Sequence, residues 1–240
     1  MRAVILAAGR GKRLLPLTKN YPKPLTPILE KPLLEYIIET LKEVAVEDII
    51  IVTGYLSHAI HEYFGDGSKF RVKIRYCYNP VHKNGNATSL KVVQELLAKD
   101  EAFLLLMSDH YIAVNIVRKA LQNIEHKPLL CVDRQPRYHP QIEDATRVLV
   151  NSKGYITKIG KDIAQWNGID TGVFLLDNSI FEVIGQTEKP TYPVTISDCM
   201  KRLVRSGKSL WACDVSGLFW LDIDTFDDVV FAESILREVA

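Results

Sequence analysis

Apolar residues along the chain follow two rhythms, and the switching between them outlines most of the fold. Residues 4–8 (VILAA) form an unbroken apolar run, the pattern of a strand buried on both faces. Behind Pro32, a suitable first-turn residue, Leu33, Leu34, Tyr36, Ile37, Ile38 and Leu41 recur at helical spacing. Residues 48–53 (DIIIVT) predict a second buried strand, closed by Gly54, and residues 56–64 a short helix. Residues 71–78 (RVKIRYCY) alternate like a strand with one wetter face. Residues 85–97 read as a loop leading into a helix, and residues 101–107 (EAFLLLM) as an apolar strand ending in Ser108-Asp109-His110. This alternation predicts an α/β fold: a Rossmann-like, mostly parallel sheet flanked by helices and joined by right-handed crossovers.

Beyond Val114 the rhythm changes. Residues 128–133, 146–150, 154–159 and 171–176 are strand-like with fewer helices between them, and Asn151-Ser152-Lys153-Gly154 has the composition of a hairpin tip. Helical spacing returns over 194–205, and residues 209–215 read as a strand. Thr225 opens a last helix with Asp228 three positions on, close to a capping box. The expectation is one domain over 1–240, with a half at 1–113 and a mixed β half at 114–240. The helical pattern still running at Ala240 is compatible with one domain of a longer polypeptide.

Composition removes several classes of function. Hydrophobic residues at 47% and charged residues at 25% of the 240 positions are globular values, which exclude disorder. A net charge of +1 argues against a general nucleic-acid binder. Cys77, Cys131, Cys199 and Cys213 form no CxxC pair, so a reduced, cytoplasmic protein is expected rather than a disulfide or zinc framework. No apolar run approaches the ~18 residues of a membrane span, and with the first strand starting at once no signal peptide is expected.

Against that balanced background the stretch after the first strand stands out. It breaks at Gly9 and Gly11 into a loop with Arg10, Lys12, Arg13, Lys19 and Lys23, and no acidic residue precedes Glu30. A buried strand delivering a glycine-hinged basic loop presents N–H groups and fixed positive charge to phosphates, here read as a nucleoside triphosphate site. The spacing is neither that of a P-loop, since Gly11-Lys12 is followed by Arg13, nor that of a dinucleotide turn, whose third glycine position is Leu14. An NAD-linked oxidoreductase is thereby set aside. Pro22 and Pro24 bracket Lys23 and restrict the backbone that aims its ammonium.

The segment LAAGRGKRLLPLT followed by PKPLTPI resembles the nucleotide-binding segment of sugar-phosphate nucleotidylyltransferases, with Lys12 where that family often has threonine or serine. MSDHY, VDRQPRY, EDATRV, KIGKDI and DTGVFLLDNSIFE, within 107–182, resemble the inositol-1-phosphate cytidylyltransferase branch. The resemblance implies a nucleotide-diphospho-sugar transferase fold and a reaction in which a phosphomonoester attacks the α-phosphorus of a nucleoside triphosphate and expels pyrophosphate. Near neutral pH such a nucleophile is already largely a dianion, its second pKa being about 6, so no general base is required. The protein must instead supply cations and positioning. Arg13 and Lys23 are the candidates for charge on the triphosphate, with Gly9 and Gly11 permitting close backbone approach; by similarity, Leu6, Ala7 and Ala8 meet the nucleoside through main-chain groups.

Mg²⁺ takes one or two protein carboxylates plus phosphate oxygens and water. Asp109 and Asp222 each follow an apolar strand, where open α/β sheets bind ligands; Asp224 is either a third ligand or a cap for the helix at Thr225. Gly85, Asn86 and Ser89 are candidates for base recognition, with helix capping by Asn86 or Thr88 as the alternative. For the acceptor, the resemblance points to Arg137, Lys158, Lys161, Asp170 and Thr171, of which Lys161 and Asp170 are the strongest. The expected substrates are CTP and inositol 1-phosphate, giving CDP-inositol for a fused or separate membrane phosphotransferase. Glucose 1-phosphate with UTP or dTTP, phosphocholine with CTP, or a nucleotide-sensing regulator of the same fold are the alternatives.

Overall fold

The computed structural model of the protein describes residues 1–99, 101–137, 139–187 and 193–239. Its first half runs β1 (Arg2–Ala7), β2 (Pro27–Ile28), β3 (Lys31–Pro32), α1 (Leu33–Glu43), β4 (Asp48–Thr53), α2 (Ser57–Phe64), β5 (Lys73–Tyr78), α3 (Asn86–Lys91), β6 (Phe103–Met107) and β7 (His110–Ile112). Its second half runs α4 (Val114–Gln122), β8 (Leu129–Asp133), α5 (His139–Asp144), β9 (Arg147–Val150), β10 (Ile156–Gly160), β11 (Gly168–Leu176), α6 (Ser179–Thr187), α7 (Ile196–Arg205), β12 (Trp211–Asp214), β13 (Trp220–Asp222) and α8 (Phe226–Val239).

Strand β1 is apolar throughout because both of its faces are covered. Ala3, Ile5 and Ala7 pack into one core with Leu34, Ile37 and Ile38 of α1. Val4 and Leu6 pack into a second with Leu90 of α3 and Met200 of α7. This is the two-faced burial that parallel strands require. Among the described residues nine strands form the main sheet, with the path β10-β9-β11-β6-β1-β4-β5, β8 beside β11 and β12 beside β8. The pairs β1–β4, β1–β6, β4–β5 and β8–β12 are parallel, whereas β11 is antiparallel to β6, β8 and β9. The expected mostly parallel sheet with a mixed second half is therefore what the chain builds.

Two details differ from the sequence reading. Helices are not sparse beyond Val114: α4 to α8 all lie there. Helix α4 (VNIVRKALQ) buries only Ile116, Val117 and Ala120, too short a stripe to stand out among flanking strands. The apolar residues before Asp222 do not enter the main sheet; β13 pairs with β7 as a separate two-stranded ribbon. A third, smaller core of Leu14, Ile28, Leu33, Leu221, Ile223, Val229 and Ala232 seats α8 against the opening loop. That helix begins with the anticipated box: Thr225 N donates to the Asp228 carboxylate (2.7 Å) and Asp228 N to Thr225 Oγ1 (3.3 Å). Ala240 lies outside the described residues.

Candidate active site

The ribbon explains how residues 113 positions apart meet. In the β7–β13 register His110 stands opposite Asp222, and Ile223 N donates to the Asp109 carbonyl at 2.9 Å. Ligand atoms of Asp109, His110 and Asp222 consequently lie within 4.8 Å of one another. Lys23 enters this group from the opening loop. Gly11, at φ 62°, lets it pass: a Cβ there would stand 2.7 Å from the Lys23 Cβ. The lysine is 6% exposed, and its Nζ donates to Asp109 Oδ2 at 2.8 Å and Asp224 Oδ1 at 2.6 Å, with Asp222 Oδ1 at 4.0 Å.

Charge in the group is strongly coupled. Burial opposes the protonated form of Lys23, but Asp109, Asp222 and Asp224 outweigh it and raise its pKa. Burial would raise Asp109, yet Lys23 and His110 hold it well below the usual carboxylate range. Against burial, Asp222 and Asp109 lift His110 to about 9, so Nδ1 donates to Asp109 Oδ1 at 2.9 Å. Burial, reinforced by Asp109 and Asp224, pushes Asp222 up to about 7 despite His110 and Lys23. Asp222 Oδ1 is also buried, with no hydrogen-bond partner among the described residues. An orphaned carboxylate oxygen beside a second carboxylate is a donor set suited to a hard divalent cation.

A cavity of about 790 Å³ opens from this group. Arg13, Arg137, Lys161, Asp170, Asn86, Asp109, Asp222 and Asp224 line it, together with His110, Asp144, Thr146, Ser197 and Phe174. Arg13 bridges Asp224 and Asp144, with 2.6 Å from Nη1 to Asp144 Oδ2. Asp224 is thus occupied by Lys23 and Arg13, and Thr225 caps α8 in its place. Asp170 accepts from Gly172 N at 2.7 Å, and burial raises it to about 6.

Of the other candidates, Asn86 alone is on the cavity wall, and the rest sit apart from it. Lys158 is exposed on β10, and Thr171 is fully buried with its hydroxyl donating to the Cys131 carbonyl at 3.0 Å. Ser89 is buried and accepts from Asn79 Nδ2 at 2.9 Å. A Cβ at Gly85 would lie 2.0 Å from the Val194 carbonyl oxygen, so that glycine is needed for contact within the chain. Asn86 caps nothing in α3; its Oδ1 accepts from Ile196 N at 2.8 Å, while Thr88 Oγ1 donates to the Gly85 carbonyl. The main chain of Leu6 and Ala8 is used internally, their carbonyls accepting from Ser108 N and Tyr55 N, and Ala7 pairs with Thr53. Among the described residues nothing lies within 4 Å of the Cβ position of Gly9, beside the basic loop.

Two residues were missed in the sequence. Asn79, fully buried, ties Thr88, Ser89 and Val81 N together and so fixes the loop ahead of α3; its only sequence signal is the turn-forming Asn79-Pro80 pair. Asp144, at the end of α5, accepts from Arg13 and from Lys161 Nζ at 2.5 Å. It lies within the quoted EDATRV segment, but nothing in that segment indicates its partners.

Residues 2–238 match the Nucleotidyl transferase family. The chain belongs to that family. It is similar to the bifunctional IPC transferase and DIPP synthase of Aquifex aeolicus, 35% identical with 99% of this chain and 52% of the relative covered. The protein of the same description from Thermococcus kodakarensis is 33% identical, covering 100% of this chain and 51% of the relative. The chain thus spans about half the length of these curated relatives. Among solved structures it is similar to the inositol-1-phosphate CTP transferase from T. maritima, with a TM-score of 0.86, 25% identity, and 99% and 96% of the two chains covered. Among the described residues no helix is long and apolar enough to cross a membrane.

Proposed function

We propose that the protein transfers CMP from CTP to inositol 1-phosphate, releasing pyrophosphate and CDP-inositol. The observation that carries the chemistry is the buried Lys23 among Asp109, Asp222 and Asp224 beside a cavity edged by Arg13, Arg137 and Lys161. The choice of CTP and inositol 1-phosphate is supported by the names of the relatives and of the solved structure. In this reading a phosphate oxygen of the acceptor attacks the α-phosphorus; that P–O bond forms as the α–β bond breaks and pyrophosphate leaves. The acceptor phosphate is already an effective nucleophile near neutral pH, which leaves the protein to align and neutralise two polyanions. Lys23 and Arg13 neutralise the triphosphate, Lys161 and Arg137 the acceptor phosphate, and Asp170 accepts from a ring hydroxyl. Asp109 and Asp222 would hold Mg²⁺, which supplies charge to phosphate oxygens when bound; His110 keeps Asp109 oriented. The product is an activated inositol phosphate, suited to a membrane phosphotransferase on the same or another polypeptide. The natural compartment is the cytoplasm.

The test is pyrophosphate release with Mg²⁺ across a panel of nucleotides and phosphomonoesters. Turnover with glucose 1-phosphate and UTP or dTTP, or with phosphocholine and CTP, and none with inositol 1-phosphate, sinks the acceptor assignment. Asp109→Asn should abolish release with the fold intact. Lys23→Ala should slow turnover by orders of magnitude, since fixed charge on such a transition state contributes several kcal/mol.

A further inference from the structure

Arg13 comes from the opening loop and Lys161 from the residue after β10, and both donate to one carboxylate. Arg13 Nη1 lies 2.6 Å from Asp144 Oδ2, and Lys161 Nζ lies 2.5 Å from Asp144 Oδ1. Two oxygens on one carbon, each met by a different cation, reproduce the way two oxygens of a phosphate are met. We infer that Asp144 is an internal competitor for phosphate: its carboxylate stands between Arg13 and Lys161 in the position of a phosphate group and must leave for that group to bind.

Three observations separate this from an ordinary structural bridge. Side-chain exposures of Arg13, Asp144 and Lys161 are 55%, 55% and 56%, so the two ion pairs add little to stability. Asp144 ends α5, a six-residue helix in the connection between β8 and β9, so its displacement breaks no sheet pairing. Arg13 keeps a second partner, Asp224, on its other terminal nitrogen, and stays aimed at the cavity after Asp144 departs. The device lets Arg13 and Lys161 be held in place without a ligand while excluding weakly held anions. Only the identity of the phosphate rests on the function proposed above.

Calorimetric titration of the intact protein with inorganic phosphate and with pyrophosphate tests the competition without any turnover. Asp144→Asn and Asp144→Ala should each bind inorganic phosphate ~3- to 10-fold more tightly than the native protein, the loss of two exposed ion pairs. Asp144→Glu, which keeps the charge, should gain less than either, and Lys161→Met added to Asp144→Asn should cancel the gain. Unchanged or weaker binding by Asp144→Asn and Asp144→Ala overturns the inference, as does the absence of binding by every variant. Steady-state arms identify the source: a fall in KM for the phosphomonoester alone assigns the acceptor phosphate, and a fall for the nucleotide alone assigns the triphosphate. Failure of the substrate panel with tighter phosphate binding would remove the proposed reaction and leave the competition standing.

Discussion

With 6% of its surface exposed, Lys23 is a buried cation held by carboxylates on three sides, and the arrangement is sensitive to the loss of any member. Removing one partner of a buried charge group is expensive because the others remain buried. Lys23→Met should therefore lower stability by about 3–5 kcal/mol, and millimolar Mg²⁺ should restore part of the loss in a thermal melt. No Mg²⁺ effect on that variant's melting temperature would argue against a cation among Asp109, Asp222 and Asp224. Asp170 gives a prediction of the opposite sign. Burial raises its folded pKa to about 6 from 3.8, so the native state binds more protons than the unfolded state between those values, and stability falls as pH rises through that window. Asp170→Asn should stabilise the protein at pH 7 by about 1–3 kcal/mol, lose that advantage below pH 4 or so, and raise KM for the acceptor. Equal melting-temperature shifts at both pH values would show that Asp170 is not the group whose charge is penalised. At this scale the sequence was informative wherever a residue's neighbours along the chain restrict it: Lys23 between prolines, Asp109 after an apolar strand. It was silent where the partner is distant, as for Asp144 and Arg13, 131 positions apart.

Elements with a complete apolar period could be read in advance; those defined by their partners could not. Strands β1, β4 and β6 are continuous apolar runs because helices cover both faces. Three-residue β7 and β13 have no period to detect, yet their pairing is what sets Asp222 opposite His110. The ribbon is held from behind by Trp220, 4% exposed, whose Nε1 donates to Asp133 Oδ2 at 3.1 Å while its ring stacks on His110 at 6.1 Å between centroids. Trp220→Phe keeps an aromatic ring there and deletes the donor. The expected cost is about 1–3 kcal/mol for an unsatisfied buried carboxylate oxygen, with a larger fall in kcat than in stability-matched variants elsewhere, because the ribbon carries Asp222 and His110 and leads directly into Asp109. A variant with lower stability and native kcat would show that Asp133 supports the core and not the site.

For the molecule as a whole, the fold serves the site by returning the end of the chain to its beginning. Leu14 of the opening loop and Val229 and Ala232 of α8 share one small core, and Arg13 and Lys23 of the first loop pair with Asp224 just ahead of α8. Alternation of strand and helix predicted the parallel sheet, but no local pattern records that residues 13–25 and 220–232 close on each other. A ligand gripping both should therefore act on the entire cooperative unit and not on one loop. At a concentration one hundred times its Kd, a ligand bound only by the native state adds about 2.7 kcal/mol, which for a chain of this size raises Tm by about 5–10 °C. CTP with Mg²⁺ should produce an upshift of this order in the native protein and little in Asp109→Asn or Asp222→Asn, while amide exchange slows in β1, the opening loop and α8 together. An upshift retained in both aspartate variants would separate nucleotide binding from the carboxylates. Slowing confined to residues 1–113 would mean that the nucleotide is held by the first half alone, with α8 contributing only the cover over Leu14.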